Sequence, residues 1–184
     1  MTLHKIVFDA STLILLAKAD LLQMVVPGTE ISIPRVVEQE VQAKPDSYDA
    51  QVVTRMIAEG TIHVSDEVPA TDVKMLQKQF RLAVGEASAL WMAKDKQCVI
   101  GIDDGPGIRA AKVLGVPFVT AIHILIGLSE LGHIQQPSAL AKLDSLAMWG
   151  RYSTQLISDA RLKISATKPL VDPRSPSGGQ KGGD

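Results

Sequence analysis

Asp9, Glu40, Glu86 and the adjacent pair Asp103-Asp104 are the residues of this chain whose types and positions suit chemistry. Asp9 follows the short apolar run Ile6-Val7-Phe8, and Asp103-Asp104 closes a second apolar run over 97–102. Glu40 lies in a helical stretch behind a third short run, and Glu86 opens the small-residue helix Gly85-Glu86-Ala87-Ser88-Ala89-Leu90. Such residues offer oxygen ligands only, which suit Mg2+ or Mn2+ rather than zinc. Crowded carboxylates repel one another unless a cation or a proton intervenes. A divalent cation among them can orient and deprotonate a water and stabilise charge on a phosphate during in-line displacement. That chemistry is phosphodiester hydrolysis with no covalent enzyme intermediate. Ser11, two residues past Asp9, is placed to hydrogen-bond an acid of such a site.

The elements that must position these acids follow from patterning. Residues 6–8 read as a strand buried on both faces. A helix over 12–24, capped by Ser11 or Thr12, follows it. Pro27-Gly28 turns the chain into a strand over 30–33, and Pro34 opens a helix at its first position. Asp46 or Ser47 caps a helix that stops at Gly60, and a short strand spans 61–64. Helices over 73–80 and 85–96 precede the apolar strand at 97–102. Gly105-Pro106-Gly107 reads as a loop before a helix over 108–114. A last strand at 117–119 leads into a helix over 122–131 capped by Thr120, and helices over 137–149 and 153–164 close the pattern. Strands that alternate with helices predict an α/β fold with a parallel sheet and right-handed crossovers. In open sheets of this kind, ligands bind at the carboxyl ends of the strands.

The totals bound the remaining classes. A chain of 184 residues with 46% hydrophobic and 21% charged residues predicts one domain, placed over 1–166, with a disordered Pro-, Gly- and Ser-rich tail over 167–184. A net charge of -1 gives no global basic field. The lone Cys98 rules out a disulfide framework and a cysteine zinc site, and is expected to be a packed thiol. His4, His63, His123 and His133 lack ligand spacing. No membrane span and no signal peptide is expected, which predicts a cytoplasmic protein. Lys74, Lys78 and Arg81 fall near one helix face as a modest phosphate-binding strip or a solvated face. Trp91 and Trp149 read as core or as a dimer face.

On Ile6-Val7-Phe8-Asp9-Ala10-Ser11, Ile33-Pro34-Arg35-Val36-Val37-Glu38-Gln39-Glu40-Val41, Gly85-Glu86-Ala87-Ser88-Ala89-Leu90 and Ile102-Asp103-Asp104, the chain resembles the PIN-domain nucleases. This family of metal-dependent ribonucleases includes the VapC-type toxins. The Gly-Glu-x-x-Ala and Asp-Asp-x-x-x-x-Arg patterns, the second ending at Arg109, are similar to a prokaryotic subgroup described as predicted nucleic-acid-binding proteins. The resemblance spans residues 3–164 and implies a three-layer α/β/α sandwich with a mostly parallel sheet of about five strands. It implies catalytic roles for Asp9, Glu40, Glu86 and Asp104, and Mg2+ or Mn2+ held by Asp9, Asp104, Asp103 and Glu86. Asp103 and Asp104 compete for the fourth position. Ser11 and Arg109 would support the site, Arg109 either by binding a phosphate or by pairing with Asp103 or Glu86. RNA as substrate, an antitoxin partner and a homodimer are further implications. Two departures stand out: Glu86 replaces the Asp usual in toxin-type members, and Gly105-Pro106-Gly107 replaces a more basic loop.

Each acid taken singly also has a structural explanation: Asp9 as a helix cap, Glu40 as a solvated charge, Glu86 as a helix-dipole acid, and Asp103-Asp104 as a turn and cap. Their joint order favours the nuclease. A haloacid-dehalogenase-like phosphatase needs a second Asp two residues after the first, where Ser11 stands. A receiver domain needs an early acid pair and a mid-chain acceptor Asp, whereas the pair here comes late. A non-catalytic PIN-fold nucleic-acid-binding or scaffold protein is the alternative of a different class.

Overall fold

Ile6, Val7 and Phe8 are all buried because β1 (Lys5–Phe8) is the middle strand of its sheet. The computed structural model describes residues 5–25 and 27–167. After β1 come α1 (Ala10–Lys18), α2 (Leu22–Val25), β2 (Glu30–Pro34), α3 (Arg35–Val41), α4 (Tyr48–Ala58) and β3 (Ile62–Ser65). Then follow α5 (Ala70–Phe80), α6 (Val84–Asp95), β4 (Val99–Gly101), α7 (Gly105–Leu114), β5 (Phe118–Val119), α8 (Ala121–Glu130), α9 (Gln136–Trp149) and α10 (Thr154–Ala166). The five strands pair in the order β3-β2-β1-β4-β5, every pair parallel. Helices flank the sheet, as the α/β/α reading expects. Among the described residues no helix is long and apolar enough to cross a membrane. The expected disordered tail over 167–184 falls, beyond Thr167, outside the described residues, as does His4.

Register does much of the positioning. Phe8 pairs with Gly101, and the Asp9 N–H donates to the Gly101 carbonyl at 3.1 Å. The ends of β1 and β4 are therefore tied together, and the acids that follow each strand leave the sheet side by side. Gly101 is required by this close approach. A Cβ there would collide with the ring of Phe8, which is fully buried. The small residues of α6 serve the same end. Gly85, Ala87, Ser88, Ala89 and Ala93 are buried, and the helix packs on α3, α5 and the strands β1, β2 and β4.

Several local expectations are corrected. The cap of α1 is neither Ser11 nor Thr12 but Asp9, in extended conformation, whose carboxylate accepts the Thr12 N–H at 2.9 Å. The cap lies two residues before Ser11, which places Ser11 within the first turn, where its hydroxyl bonds back to Asp9. The single helix expected over 12–24 is two, broken where Asp20 turns left-handed at φ 52. Pro34 ends β2 and precedes the helix instead of opening it. Gly105-Pro106-Gly107 is no loop: it forms the first turn of α7, where proline's missing N–H costs nothing. The strand expected over 97–102 is shorter than its apolar run, with only Val99–Gly101 in β4.

Two glycines separate close approach from empty space. Gly101→Ala should lower stability by about 1–3 kcal/mol, the usual penalty for overfilling a packed core. Gly127, inside α8 with nothing within 4 Å of an added Cβ, should behave oppositely. Gly127→Ala should stabilise by up to ~1 kcal/mol through helix propensity. Urea unfolding midpoints of the two variants check the contrast.

Candidate active site

Asp9 is 1% exposed, an unusual burial for a carboxylate. Its two oxygens are held by different donors: Oδ1 accepts the Thr12 N–H at 2.9 Å, and Oδ2 accepts the Ser11 hydroxyl at 2.7 Å. Ser11 thus does what its spacing suggested. Burial pushes the Asp9 carboxyl up to about 6, against the pull of these hydrogen bonds; the nearby charge of Asp103 adds to the rise.

Asp103 lies beside Asp9 through the β1–β4 register. Its carboxylate accepts the Ala121 N–H at 3.0 Å, at the amino end of α8, and the Tyr152 hydroxyl at 2.5 Å. Burial raises its pKa as well, opposed chiefly by those two donors. Tyr152 is half-buried, and burial together with the charge of Asp103 holds its phenol protonated, well above the ordinary value. The Thr12 hydroxyl lies close enough to both carboxylates to favour their charged forms. It reaches neither with hydrogen-bond geometry, and Oγ1 is buried without a partner.

The glutamates form a second group. Glu40 leaves α3 as an exposed residue but sets its carboxyl group down on Gly85, where an added Cβ would stand 2.7 Å from the carboxyl carbon. Glu86, three residues into α6, folds back so that Oε2 accepts the Ala83 N–H at 2.9 Å. Partial burial raises both pKa values; backbone N–H groups oppose the rise, and a neighbouring charge adds to it. That neighbour is Glu86 for Glu40 and Asp104 for Glu86. Asp104 precedes α7 without capping it, and its carboxyl group makes no hydrogen bond among the described residues.

The acids singled out in the sequence therefore meet in pairs: Asp9 with Asp103, Glu86 with Asp104, and Glu40 with Glu86. Among the described residues no three His, Cys, Asp or Glu side chains gather closely enough to hold one ion. Nor does any Lys or Arg stand within ion-pair reach of these five acids; the ion pairs present join Lys5–Glu30, Arg35–Glu38, Arg35–Asp66 and Arg161–Asp144. Arg109 is exposed over the first turn of α7, near Gly105, and pairs with neither Asp103 nor Glu86. Trp149 is 54% exposed, not core, with Lys18 over its ring. Lys74 borders a cavity of about 320 Å³ between α3 and α5, on the β2–β3 side of the acids.

Oxygen donors with no Lys or Arg within ion-pair reach among the described residues, and with an orphaned buried hydroxyl between two of them, fit a hard divalent cation such as Mg2+ or Mn2+. Tyr152 was invisible to sequence reading. It lies 49 residues beyond Asp103, between two helices, and no spacing rule connects them. A family model described as a PIN domain matches residues 5–165 of the chain. No curated protein matches it.

The raised Asp9 fixes the sign of a pH dependence. The folded protein binds this proton more tightly than the unfolded chain, whose value is near 3.8. Stability without metal should therefore fall as pH rises from about 4 through about 6, then level off. Asp9→Asn keeps an acceptor for the Thr12 N–H but removes the charge. Its melting temperature in EDTA should fall less steeply over that window, and at pH 8 the variant should be more stable by about 1–3 kcal/mol. An unchanged pH slope in the variant would contradict the burial account of Asp9.

Proposed function

The chain belongs to the PIN-domain family, whose members are generally nucleases, and on that footing we propose that it is a metal-dependent ribonuclease hydrolysing RNA phosphodiester bonds. The observation that carries this reading is the missing counter-charge: among the described residues no Lys or Arg stands within ion-pair reach of the five carboxyl groups at this sheet edge, and His123 lies only near enough to Asp103 to favour its charged form. A structural cluster would be neutralised by Lys or Arg, because an unpaired buried charge is costly. A site for a divalent cation must leave that charge available.

Asp9, Asp104 and Glu86 would hold Mg2+ or Mn2+, with Asp103 the rival of Asp104. Bound there, the ion would supply activation of a water and stabilisation of charge on the phosphate. The protein's own residues prepare the ground. Ser11 and the Thr12 N–H fix the Asp9 oxygens, and the Ala83 N–H fixes Glu86. Glu40, seated on Gly85, would orient the attacking water. Arg109, unpaired and exposed, would meet a substrate phosphate. Lys74, Lys78 and Arg81 are exposed and make no ion pair among the described residues, so they are free to carry the RNA backbone. A toxin role with an antitoxin, a homodimer and a cytoplasmic setting rest on the resemblance to VapC-type members alone. The second reading, a non-catalytic nucleic-acid-binding or scaffold protein, is favoured by the pairwise spread of the acids.

Two experiments decide between them. With Mn2+, the wild type should cleave single-stranded RNA, EDTA should stop it, and Asp9→Asn should lose at least ~100-fold in rate, as for a directly coordinating group. Equal cleavage by both proteins would sink the site; RNA binding without cleavage by either would favour the binding module. A parallel assay on single-stranded DNA separates the two substrates. Lys74→Ala with Arg81→Ala should weaken RNA binding across sequences and reduce the slope of log K against log salt by roughly 1–2.

A further inference from the structure

The end of β4 carries two consecutive acids, and the fold treats them differently. Asp103 turns inward toward Asp9 and α8, whereas Asp104 turns toward Glu86. Successive residues of an extended chain point to opposite sides, so both cannot take the same position. Both oxygens of Asp103 are committed: Oδ1 to the Tyr152 hydroxyl, and Oδ2 to the Ala121 N–H. The carboxyl group of Asp104 does not cap α7 and makes no hydrogen bond among the described residues.

Tyr152 comes from the short connector between α9 and α10, far along the chain. Its ring is seated against Gly150, where an added Cβ would collide with it. A phenol is also an apt tether. Left alone beside Asp9, the Asp103 carboxylate would swing away from a like charge. A Lys or Arg would hold it but would cancel the negative charge that a cation site needs. The tyrosine hydroxyl donates one hydrogen bond and carries no charge.

We infer that Tyr152 is a positioning residue, which with the Ala121 amide fixes Asp103 beside Asp9 and leaves Asp104 as the metal-binding acid of this strand end. The inference rests on the nuclease reading for the identity of the metal site, but its test does not depend on cleavage. Partners that orient a metal ligand typically contribute about 10–100-fold to metal affinity or activity; Tyr152 acts one step further out, by holding the Asp103 charge beside Asp9, so its share belongs at the lower end of that range.

Calorimetric titration of the full chain with Mn2+ tests it. Tyr152→Phe should weaken Mn2+ binding about 10-fold and lower kcat for RNA without changing KM. Asp103→Asn should do the same, and the double variant should be no worse than Asp103→Asn alone, since one removes what the other acts through. Gly150→Ala, which displaces the ring without altering its chemistry, should lose Mn2+ affinity in the same direction. Asp104→Asn should lose far more than Asp103→Asn. Arg161→Ala, which breaks the surface ion pair between α9 and α10, should bind Mn2+ like the wild type. Wild-type affinity in Tyr152→Phe, additive losses in the double variant, or a smaller loss in Asp104→Asn than in Asp103→Asn would each overturn the assignment. Mn2+ binding without cleavage by the wild type would sink the nuclease reading alone; no Mn2+ binding would sink both.

Discussion

A carboxylate buried at the end of the central strand, with no Lys or Arg beside it among the described residues, is the constraint on which the rest of this structure depends. Asp9 sits where both faces of the sheet are covered by helices, so water cannot solvate it. Ionised and unpaired, it would cost several kcal/mol, which is why such groups are rarely buried alone. The fold lowers that cost with what is locally to hand, the Thr12 N–H in the first turn of α1 and the hydroxyl of Ser11. It does not remove it, and the carboxyl remains at about 6. That strain lies where the proposed function puts the chemistry, as expected where stability yields to function.

The neighbouring strand compounds this tension. Parallel pairing in the observed register brings Asp103 beside Asp9, so two acids share a region that would be uncomfortable for one. The order β3-β2-β1-β4-β5 makes the arrangement possible, because β1 and β4 are adjacent although roughly 90 residues separate them. The long crossover supplies α3 with Glu40 and α6 with Glu86. The small residues of α6 let that helix lie close enough to the sheet for Gly85 to receive the Glu40 carboxyl group. Gly101 plays the matching part beneath Phe8. The two glycines thus serve one purpose, close approach.

How much of this could be read from the residues depends on range. The strand-then-acid signal at residues 6–9, the alternation of strands and helices, and the short Gly-Glu opening of α6 are local, and local patterning records them. The choice of Asp9 over Ser11 or Thr12 as cap is also local, but all three are good caps, and only the geometry at the end of β1 selects among them. Gly105-Pro106-Gly107 has the composition of a loop, yet proline and glycine are tolerated in a first helical turn, so composition misleads there. The break at Asp20 has no glycine or proline to announce it. Tyr152 is the clearest case: its partner is distant in sequence, and a lone tyrosine between helices carries no pattern. Pairing of the acids, as opposed to their presence at one edge, is likewise a property of three-dimensional distance.

Capping and a chemical role, which compete as explanations of an acid at a strand end, are compatible here. Every donor that fixes a carboxylate of the site is neutral: a backbone N–H from Thr12, Ala83 or Ala121, or a hydroxyl from Ser11 or Tyr152. Helix amino ends supply three of these donors, and their dipoles favour negative charge without carrying a full positive one. A cationic partner would have stabilised the acids better and silenced them. Neutral donors orient the oxygens and leave most of the negative potential in place. The cap of α1 holds Asp9 still with neutral donors, so capping does not count against a chemical role for the acid.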